Sequence, residues 1–195
     1  EKAIDNNSVD VKQLTRNVAH TLVEQIDHLS KIASEFSQFA NISNVRNEVF
    51  DLHEILYSLS HLYESSEQVS FSWIPVSRKV MVDADRTQLN RLFTNLLQNA
   101  VEATENQSDP EVSITETVEN NTIVIRIRDN GQGIPEATQS KIFTPNFTTK
   151  TSGTGLGLAM SKGIVEQAKG RIWFETRENA GTVFFVELPL AGELA

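Results

Sequence analysis

One long segment near the start of the chain limits what the rest can fold into. From Asp10 to about Ile42 the sequence contains neither glycine nor proline. Apolar side chains recur there at intervals of three or four residues: Val11, Leu14, Val18, Leu22, Ile26, Leu29, Ala33, Phe36 and Ala40. This spacing is typical of a helix that packs lengthwise on another helix. The helix would be roughly 50 Å long, so we expect a partner helix from this chain or a second copy. The alternative is a solvated linker helix, which a break in the spacing near Val18 favours.

The composition excludes several classes of function. The chain has 195 residues, a net charge of -9 and no cysteine. Its acidic total disfavours nucleic acid and anionic membrane surfaces as partners. Without cysteine it forms no disulfide, thiolate metal site or cysteine nucleophile, and its histidines show no metal-ligand spacing. No apolar run approaches the roughly 18 residues of a membrane span, and the start lacks a signal-peptide pattern. We therefore expect a cytoplasmic protein that makes no direct membrane contact.

Apolar periodicity predicts two further helices. Asp51 would cap the first, which ends near residue 64 and buries one face: Leu52, Ile55, Leu56, Leu59 and Leu62. Asp85, followed three residues later by Gln88, resembles a capping box and would begin the second helix. That helix would run from Arg86 to about Thr104 and bury Leu89, Leu92, Phe93, Leu96, Leu97 and Ala100.

Alternating apolar residues predict six strands, and a glycine-rich stretch precedes a last helix from about Leu156 to Ala168. The strands are Val69 to Ile74, Lys79 to Val82, Glu111 to Val118, Thr122 to Arg128, Arg171 to Thr176 and Thr182 to Leu188. This order predicts the α+β class. We expect a two-layer α/β sandwich, with helices over one face of a mixed, mostly antiparallel sheet.

One face of the second predicted helix carries polar residues that suit a metal ion. Asn95, Asn99 and Glu102 lie at i, i+4 and i+7, so they share a face. Amide oxygens suit Mg²⁺ when phosphates and water supply the other ligands. The alternative is that these are ordinary solvent-facing residues of an amphipathic helix.

Two glycine-rich segments are candidates for nucleotide contacts. In Asp129-Asn-Gly131-Gln-Gly133-Ile-Pro135, a carboxylate at a strand end can bind an exocyclic amine while glycines admit a flat ring. A surface turn is the alternative. Gly153-Thr-Gly155-Leu-Gly157-Leu-Ala159 opens the last helix, where exposed N–H groups favour a polyphosphate. It matches neither the P-loop nor the dinucleotide fingerprint.

Between these segments lies Ile142-Phe143-Thr-Pro-Asn-Phe147-Thr148-Thr149-Lys150, which combines aromatic, hydroxyl and cationic side chains. We expect it to form a mobile loop. Lys150 would reach a terminal phosphate when the loop closes. The alternative is a solvated surface lysine.

Taken in order, the four segments resemble the N, G1, F and G2 boxes of the histidine-kinase catalytic domain. That domain has the Bergerat ATP-binding fold of the superfamily that includes gyrase B, Hsp90 and MutL. The resemblance covers about Asp51 to Pro189, and its last strand, from Gly181 to Pro189, is also similar. It implies ATP and Mg²⁺ as ligands.

The resemblance also implies roles for individual residues. Asn99 would coordinate Mg²⁺ with Asn95 assisting, Asp129 would bind the adenine amino group, and Thr182 would lie near the adenine. Phe143 to Lys150 would be the ATP lid, in which Asn146 stands where the family often has an aromatic residue. The remaining nucleotide contacts would come from Ala103, Gly131, Gly133, Ile134, Ile142, Phe147, Thr148, Thr149, Gly153, Thr154, Gly155, Leu156, Gly157 and Leu158.

The residue at position 95 favours kinase over ATPase chemistry. ATP-hydrolysing members of the superfamily generally have a glutamate there as the base, whereas Asn95 takes no proton. We therefore expect Asn95 and Lys150 to act in catalysis by positioning the reacting groups and by neutralising the charge of the phosphates. The γ-phosphoryl group would pass to a histidine and then to an aspartate of a response-regulator receiver domain. The alternatives are a nucleotide-dependent interaction module, or a serine kinase or ATPase of the same superfamily.

The long first helix resembles the second helix of the kinase dimerisation hairpin. Its sequence and Phe147-Thr-Thr-Lys150 are most similar to nitrogen-regulation-type sensors. We expect residues 1–45 to be this partial dimerisation region and residues 46–195 to be the catalytic domain. None of His20, His28, His53 and His61 has the family's acceptor context, and the first residue is not Met. These features predict a fragment that cannot phosphorylate itself, cut from a homodimeric sensor that is cytoplasmic or anchored in a membrane.

Overall fold

The first helix of the protein is longer than its apolar pattern predicts. The computed structural model describes residues 2–40, 45–65, 69–76, 78–150 and 153–192. Helix α1 spans Lys2–Ala40 and so contains the predicted segment up to residue 40. Residues 41–44, which include the predicted end of this helix near Ile42, lie outside the described residues. The described part of the apolar stripe, from Val11 to Phe36, is exposed. No helix of the described residues is long and apolar enough to cross a membrane.

The rest of the described chain alternates strands and helices. The strands are β1 (Glu48–Asp51), β2 (Ser70–Ile74), β3 (Met81–Ala84), β4 (Glu111–Glu119), β5 (Thr122–Asp129), β6 (Arg171–Arg177) and β7 (Gly181–Pro189). The helices are α2 (His53–Glu64), α3 (Arg86–Ala103), α4 (Glu136–Gln139) and α5 (Gly157–Gln167). All of the predicted elements are present. The sequence patterns did not reveal β1 and α4, which have four residues each.

Five strands form a mixed sheet in the order β2-β4-β5-β7-β6. Strand β2 runs parallel to β4, and every other neighbouring pair is antiparallel. Helices α2, α3 and α5 contact this sheet through β2, β5 and β6 respectively. The α+β sandwich is therefore confirmed. A separate two-stranded sheet joins β1 to β3.

Helix α3 forms as its sequence predicts. Asp85 occupies its N-cap, and the Asp85 Oδ1 atom accepts the N–H of Gln88 at 3.0 Å. Only half of the capping box forms, because Gln88 Oε1 is buried without a hydrogen-bond partner among the described residues. The other oxygen of Asp85, Oδ2, accepts the N–H of Arg46 at 2.8 Å. The six predicted core residues of α3 are all buried, which turns Asn95 and Asn99 toward the opposite side.

Two details of α2 differ from expectation. Leu62 is 64% exposed, because the core-facing position is taken by the next residue, Tyr63, whose ring stacks on Phe71 at 5.8 Å. Asp51 is not the N-cap residue: it ends β1, and Leu52 stands at the N-cap. The Asp51 carboxylate instead accepts the N–H groups of both His53 and Val80 at 3.1 Å, so it ties the start of α2 to the segment before β3.

Candidate functional site

The polar face of α3 meets the start of α5 at Asn95. The Asn95 side-chain amide donates to the Ser161 hydroxyl at 2.8 Å, and that hydroxyl donates to the Gly157 carbonyl at 2.9 Å. A Cβ atom at Gly157 would collide with the Asn95 amide oxygen. A side chain at position 157 would therefore displace the end of the Asn95 side chain. Ser161 is buried, and no motif of the sequence pointed to it.

One turn further along α3, two oxygen groups converge on one cation. The Lys150 ammonium group donates to Asn99 Oδ1 at 2.7 Å and also binds the Glu102 carboxylate. Glu102 is held from its other side by the side-chain amide of Gln98, at 2.8 Å. Amide and carboxylate oxygens are the donors that Mg²⁺ prefers. The residues present thus fit a divalent cation at Asn99, where a cationic side chain already binds.

Asp129 lies at the end of β5 with its side chain 3% exposed. Its Oδ1 atom accepts the N–H of Gly131 at 2.9 Å and the N–H of Thr182 at 3.2 Å. Burial raises the pKa of Asp129, while the bonds from Gly131 and Thr182 oppose that shift by favouring the carboxylate. The fold thus buries a carboxylate and stabilises its charged form with two backbone donors on one oxygen.

The loop after Asp129 is held between the end of α3 and the turn after β6. A Cβ atom at Gly131 would collide with the carbonyl oxygen of Ala103, which also accepts the N–H of Gln132 at 3.2 Å. Gly133 has a φ of +71°, and a Cβ atom there would collide with the carbonyl oxygen of Arg177. Both glycines are therefore needed where the sequence analysis expected them to shape a pocket.

Thr182 contacts Thr176, a residue that no sequence motif indicated. The hydroxyl groups of Thr182 and Thr176 lie 3.0 Å apart, and Thr176 also accepts the N–H of Ile134 at 2.9 Å. Thr176 and Thr182 are register partners of β6 and β7. Thr176 ends one predicted strand and Thr182 begins the next, with a short turn between them. Hairpin pairing was therefore the signal that would have found Thr176.

The lid segment, residues 143–150, packs on the glycine-rich segment before α5. A Cβ atom at Gly155, whose φ is +71°, would lie 2.6 Å from the Phe147 backbone nitrogen. The Thr148 hydroxyl accepts the N–H of Lys150 at 3.0 Å. Asn146 has a φ of +63°, a left-handed conformation that asparagine tolerates better than an aromatic residue. Asn146, which stands where the family often has an aromatic residue, thus lies at a turn in the lid.

The other predicted site residues divide by burial. Ile142 and Leu156 are buried, and Ile134, Phe147 and Leu158 pack against the hydrophobic core. Thr148, Thr149 and Lys150 are exposed. The backbone N–H of Leu156 donates to the Thr154 hydroxyl at 3.4 Å, and Gly153 lies against Thr148. The structure therefore brings the four sequence segments together around α3, the lid and the start of α5.

The four histidines lie in different surroundings. His20 and His61 are exposed on α1 and α2, as expected of helix-surface residues. The side chain of His28 lies outside the described residues. His53 is half-buried, and its Nε2 atom lies 2.9 Å from the buried carboxylate of Glu116. The Trp73 indole N–H donates to the same carboxylate at 2.9 Å.

Sequence comparison finds one matching family and many relatives. The profile of the family described as histidine kinase-, DNA gyrase B-, and HSP90-like ATPase matches residues 84–192. The chain is 30% identical over 181 residues to the sensor histidine kinase ZraS of Salmonella typhimurium. That alignment covers 90% of this chain and 38% of ZraS, so the chain spans about two fifths of this curated relative.

Solved structures resemble the same part of the chain. The nucleotide-free catalytic domain of histidine kinase ThkA matches with a TM-score of 0.66 and 37% identity, covering 74% of this chain and 96% of that domain. ThkA in complex with response regulator protein TrrA matches with a TM-score of 0.69 and 30% identity, covering 85% of this chain and 49% of that one. The fold that the motifs predicted is thus the fold of these catalytic domains.

Proposed function

Because the chain belongs to the histidine kinase-, DNA gyrase B- and HSP90-like ATPase family, with a domain of the histidine-kinase type, we propose that it binds ATP with Mg²⁺ and transfers the γ-phosphoryl group to a histidine. The observation that carries the proposal is the convergence on Asn99. Lys150, 51 residues away in sequence, donates to the one oxygen that the family resemblance assigns to the metal ion. This contact joins the N-box helix to the lid.

Asp129 would recognise the base. Its Oδ1 atom already accepts two backbone N–H groups, so its second oxygen is the acceptor that would take a hydrogen bond from the adenine amino group. The close packing of Gly131 on Ala103 would leave no side chain between the loop and a flat ring. Burial would strengthen this bond, because water competes less well there.

Asn99 would hold Mg²⁺, which when bound supplies positive charge to the ATP phosphates. Lys150 would add a second positive charge beside the same phosphates. Gly155 and Gly157 would expose backbone N–H groups to the same phosphates at the start of α5. A chain of net charge -9 would thus bind a polyanion through local groups rather than through its overall charge.

Asn95 would position groups and not remove a proton. Its amide donates to Ser161 and its oxygen lies against Gly157, so it fixes the start of α5 relative to α3. In the transfer, the bond from the γ-phosphorus to the β–γ bridging oxygen breaks, a phosphorus–nitrogen bond forms on histidine, and ADP leaves. Such a step needs alignment and charge neutralisation more than a strong base.

We propose that the acceptor histidine lies on a helix other than those of this chain. None of the four histidines has the sequence context of the family's acceptor, and His53 is held by the buried Glu116. The exposed apolar stripe of α1 supports a role for residues 1–45 as one dimerisation helix, with residues 46–195 as the catalytic domain. The similarity to ThkA bound to TrrA supports a receiver domain as the next phosphoryl acceptor.

Calorimetry with ATP and Mg²⁺ tests the proposal. The wild-type protein should bind, and Asn99→Ala and Asp129→Ala should each weaken binding by at least about tenfold, the loss expected when a buried or charged partner is removed. Thr94→Ala is a control on the same helix, since the Thr94 hydroxyl donates to the Asn90 carbonyl and not to Asn99 or Asp129. Equal affinity in all four proteins would contradict the site assignment.

A further inference from the structure

An ion pair between Lys150 and Glu102 connects the lid to α3. Lys150 ends the lid, and its ammonium group binds Asn99 Oδ1 and the Glu102 carboxylate together. Both side chains are only partly exposed, Lys150 at 45% and Glu102 at 32%. The lid is therefore joined to α3 by an ion pair placed at the proposed metal ligand.

Both partners are held in place by their own surroundings. Gln98 donates to Glu102 Oε1, which leaves Oε2 directed at Lys150. On the lid side, the Thr148 hydroxyl accepts the Lys150 N–H at 3.0 Å, and the Lys150 carbonyl accepts the Gly153 N–H at 3.3 Å. Pre-orientation of this kind lowers the entropy cost of forming an exposed ion pair.

A divalent cation at Asn99 would conflict with this arrangement. Asn99 Oδ1 would face two cations, the metal ion and an ammonium group that lies 2.7 Å from the same oxygen. Like charges at such short range repel each other strongly unless an anion lies between them. Lys150 must therefore move away from Asn99, or phosphate oxygens must separate the two cations.

We propose that Glu102 is a positioning residue that holds Lys150 on Asn99 until nucleotide binds, and that the phosphates then draw Lys150 away from Glu102. This inference rests on the proposed function, because the metal ion and the phosphates are the groups that displace the lysine. The ion pair stabilises the closed lid in the nucleotide-free protein and opposes binding by the same amount.

Amide hydrogen exchange over residues 143–150 of the nucleotide-free protein tests the first half. Glu102→Gln keeps the shape and removes the charge, so it should speed exchange in the lid about two- to fivefold, the range of a partly exposed ion pair. Lys150→Met should do the same, and the double variant should match either single one. Glu166→Gln, which breaks a comparably exposed pair with Lys162 on α5, should leave lid exchange unchanged. Unchanged exchange in Glu102→Gln, or additive effects, would overturn the proposal.

Calorimetry with a non-hydrolysable ATP analogue and Mg²⁺ tests the second half. Glu102→Gln should tighten binding by the same two- to fivefold factor, and this gain should vanish in the Lys150→Met background. A gain that persists without Lys150 would mean simple repulsion between Glu102 and the phosphates, and would overturn the proposal. Failure of the wild-type protein to bind the analogue would instead contradict the proposed function, while the exchange measurement would still decide on the ion pair.

Discussion

The buried carboxylate of Asp129 accepts the backbone N–H of Thr182 at 3.2 Å, although 53 residues separate them. This bond joins the end of β5 to the start of β7, where a Cβ atom at the neighbouring Gly181 would collide with the Asp129 carbonyl. The side chain proposed to recognise the base is thus fixed by two strands that the sheet pairs directly. Mutation can separate the proposed chemical role of the Asp129 side chain from its contribution to the local fold.

Asp129→Asn should weaken ATP binding by at least about tenfold with a smaller effect on stability. The asparagine oxygen can still accept the N–H groups of Gly131 and Thr182, but its amide then presents a donor where the adenine amino group requires an acceptor. Calorimetry measures the affinity and thermal unfolding measures the stability. Retention of wild-type affinity would show that Asp129 does not recognise the base.

Gly157→Ala should lower nucleotide affinity without lowering helix propensity. Alanine stabilises a helix by up to about 1 kcal/mol relative to glycine, yet its methyl group would displace the Asn95 amide and strain its bond to Ser161. Gly163→Ala, within the same helix, is the matched control and should bind ATP as the wild type does. The two variants should therefore differ in calorimetric affinity; equal affinities would contradict a role for close packing at Gly157.

His53 should make stability depend on pH. Its pKa is raised by the hydrogen bond to Glu116 and by the charges of Glu116 and Asp51, against a lowering by burial. The charged form therefore stabilises the fold fully below the ordinary pKa of about 6.5, and this contribution is lost as pH rises through the higher folded-state pKa.

Thermal unfolding between about pH 6 and pH 9, which brackets that window, checks this prediction. The wild type should lose more stability than His53→Gln as the pH rises. His61→Gln, an exposed histidine of the same helix, should follow the wild type. Parallel curves of stability against pH for His53→Gln and the wild type would show that protonation of His53 beside Glu116 does not stabilise the fold.

The protein should phosphorylate a histidine supplied in trans but none of its own. Incubation with γ-labelled ATP alone should leave the chain unlabelled, and addition of a dimerisation hairpin with an acceptor histidine should give acid-labile label on the hairpin. Acid-labile label on His20, His28, His53 or His61 would contradict the missing acceptor. Acid-stable phosphoserine, or steady phosphate release, would favour the serine kinase or the ATPase instead.

Much of the fold could be predicted because its signals are local. Asp85 precedes an apolar stripe of helical period, so both the cap and the core face of α3 followed from neighbouring residues. The Asn120 and Asn121 turn between β4 and β5 has positive φ at both residues, as asparagine permits. The glycines of the site were found from their spacing, and Gly131, Gly133 and Gly155 stand at a conformation or a backbone contact that excludes a side chain.

The missed features depend on contacts between distant residues. Strand β1 is too short for a periodic pattern and exists because β3 pairs with it. Leu62 was the predicted core residue, and the position of Phe71 on β2 brings Tyr63 to the core instead. The choice of Glu102 as the partner of Lys150, and of Glu116 as that of His53, likewise depends on how the sheet and helices assemble.

The two oxygens of Asp85 give α3 a mechanical connection to the preceding chain. One oxygen caps the first turn of the helix, and the other binds the backbone of Arg46, just beyond residues 41–44. Because a carboxylate is planar and rigid, displacement of residue 46 pulls on the cap of the helix that carries Asn95 and Asn99. The segment that leads into β1 is thus tied directly to the base of α3, which bears the proposed metal ligand Asn99.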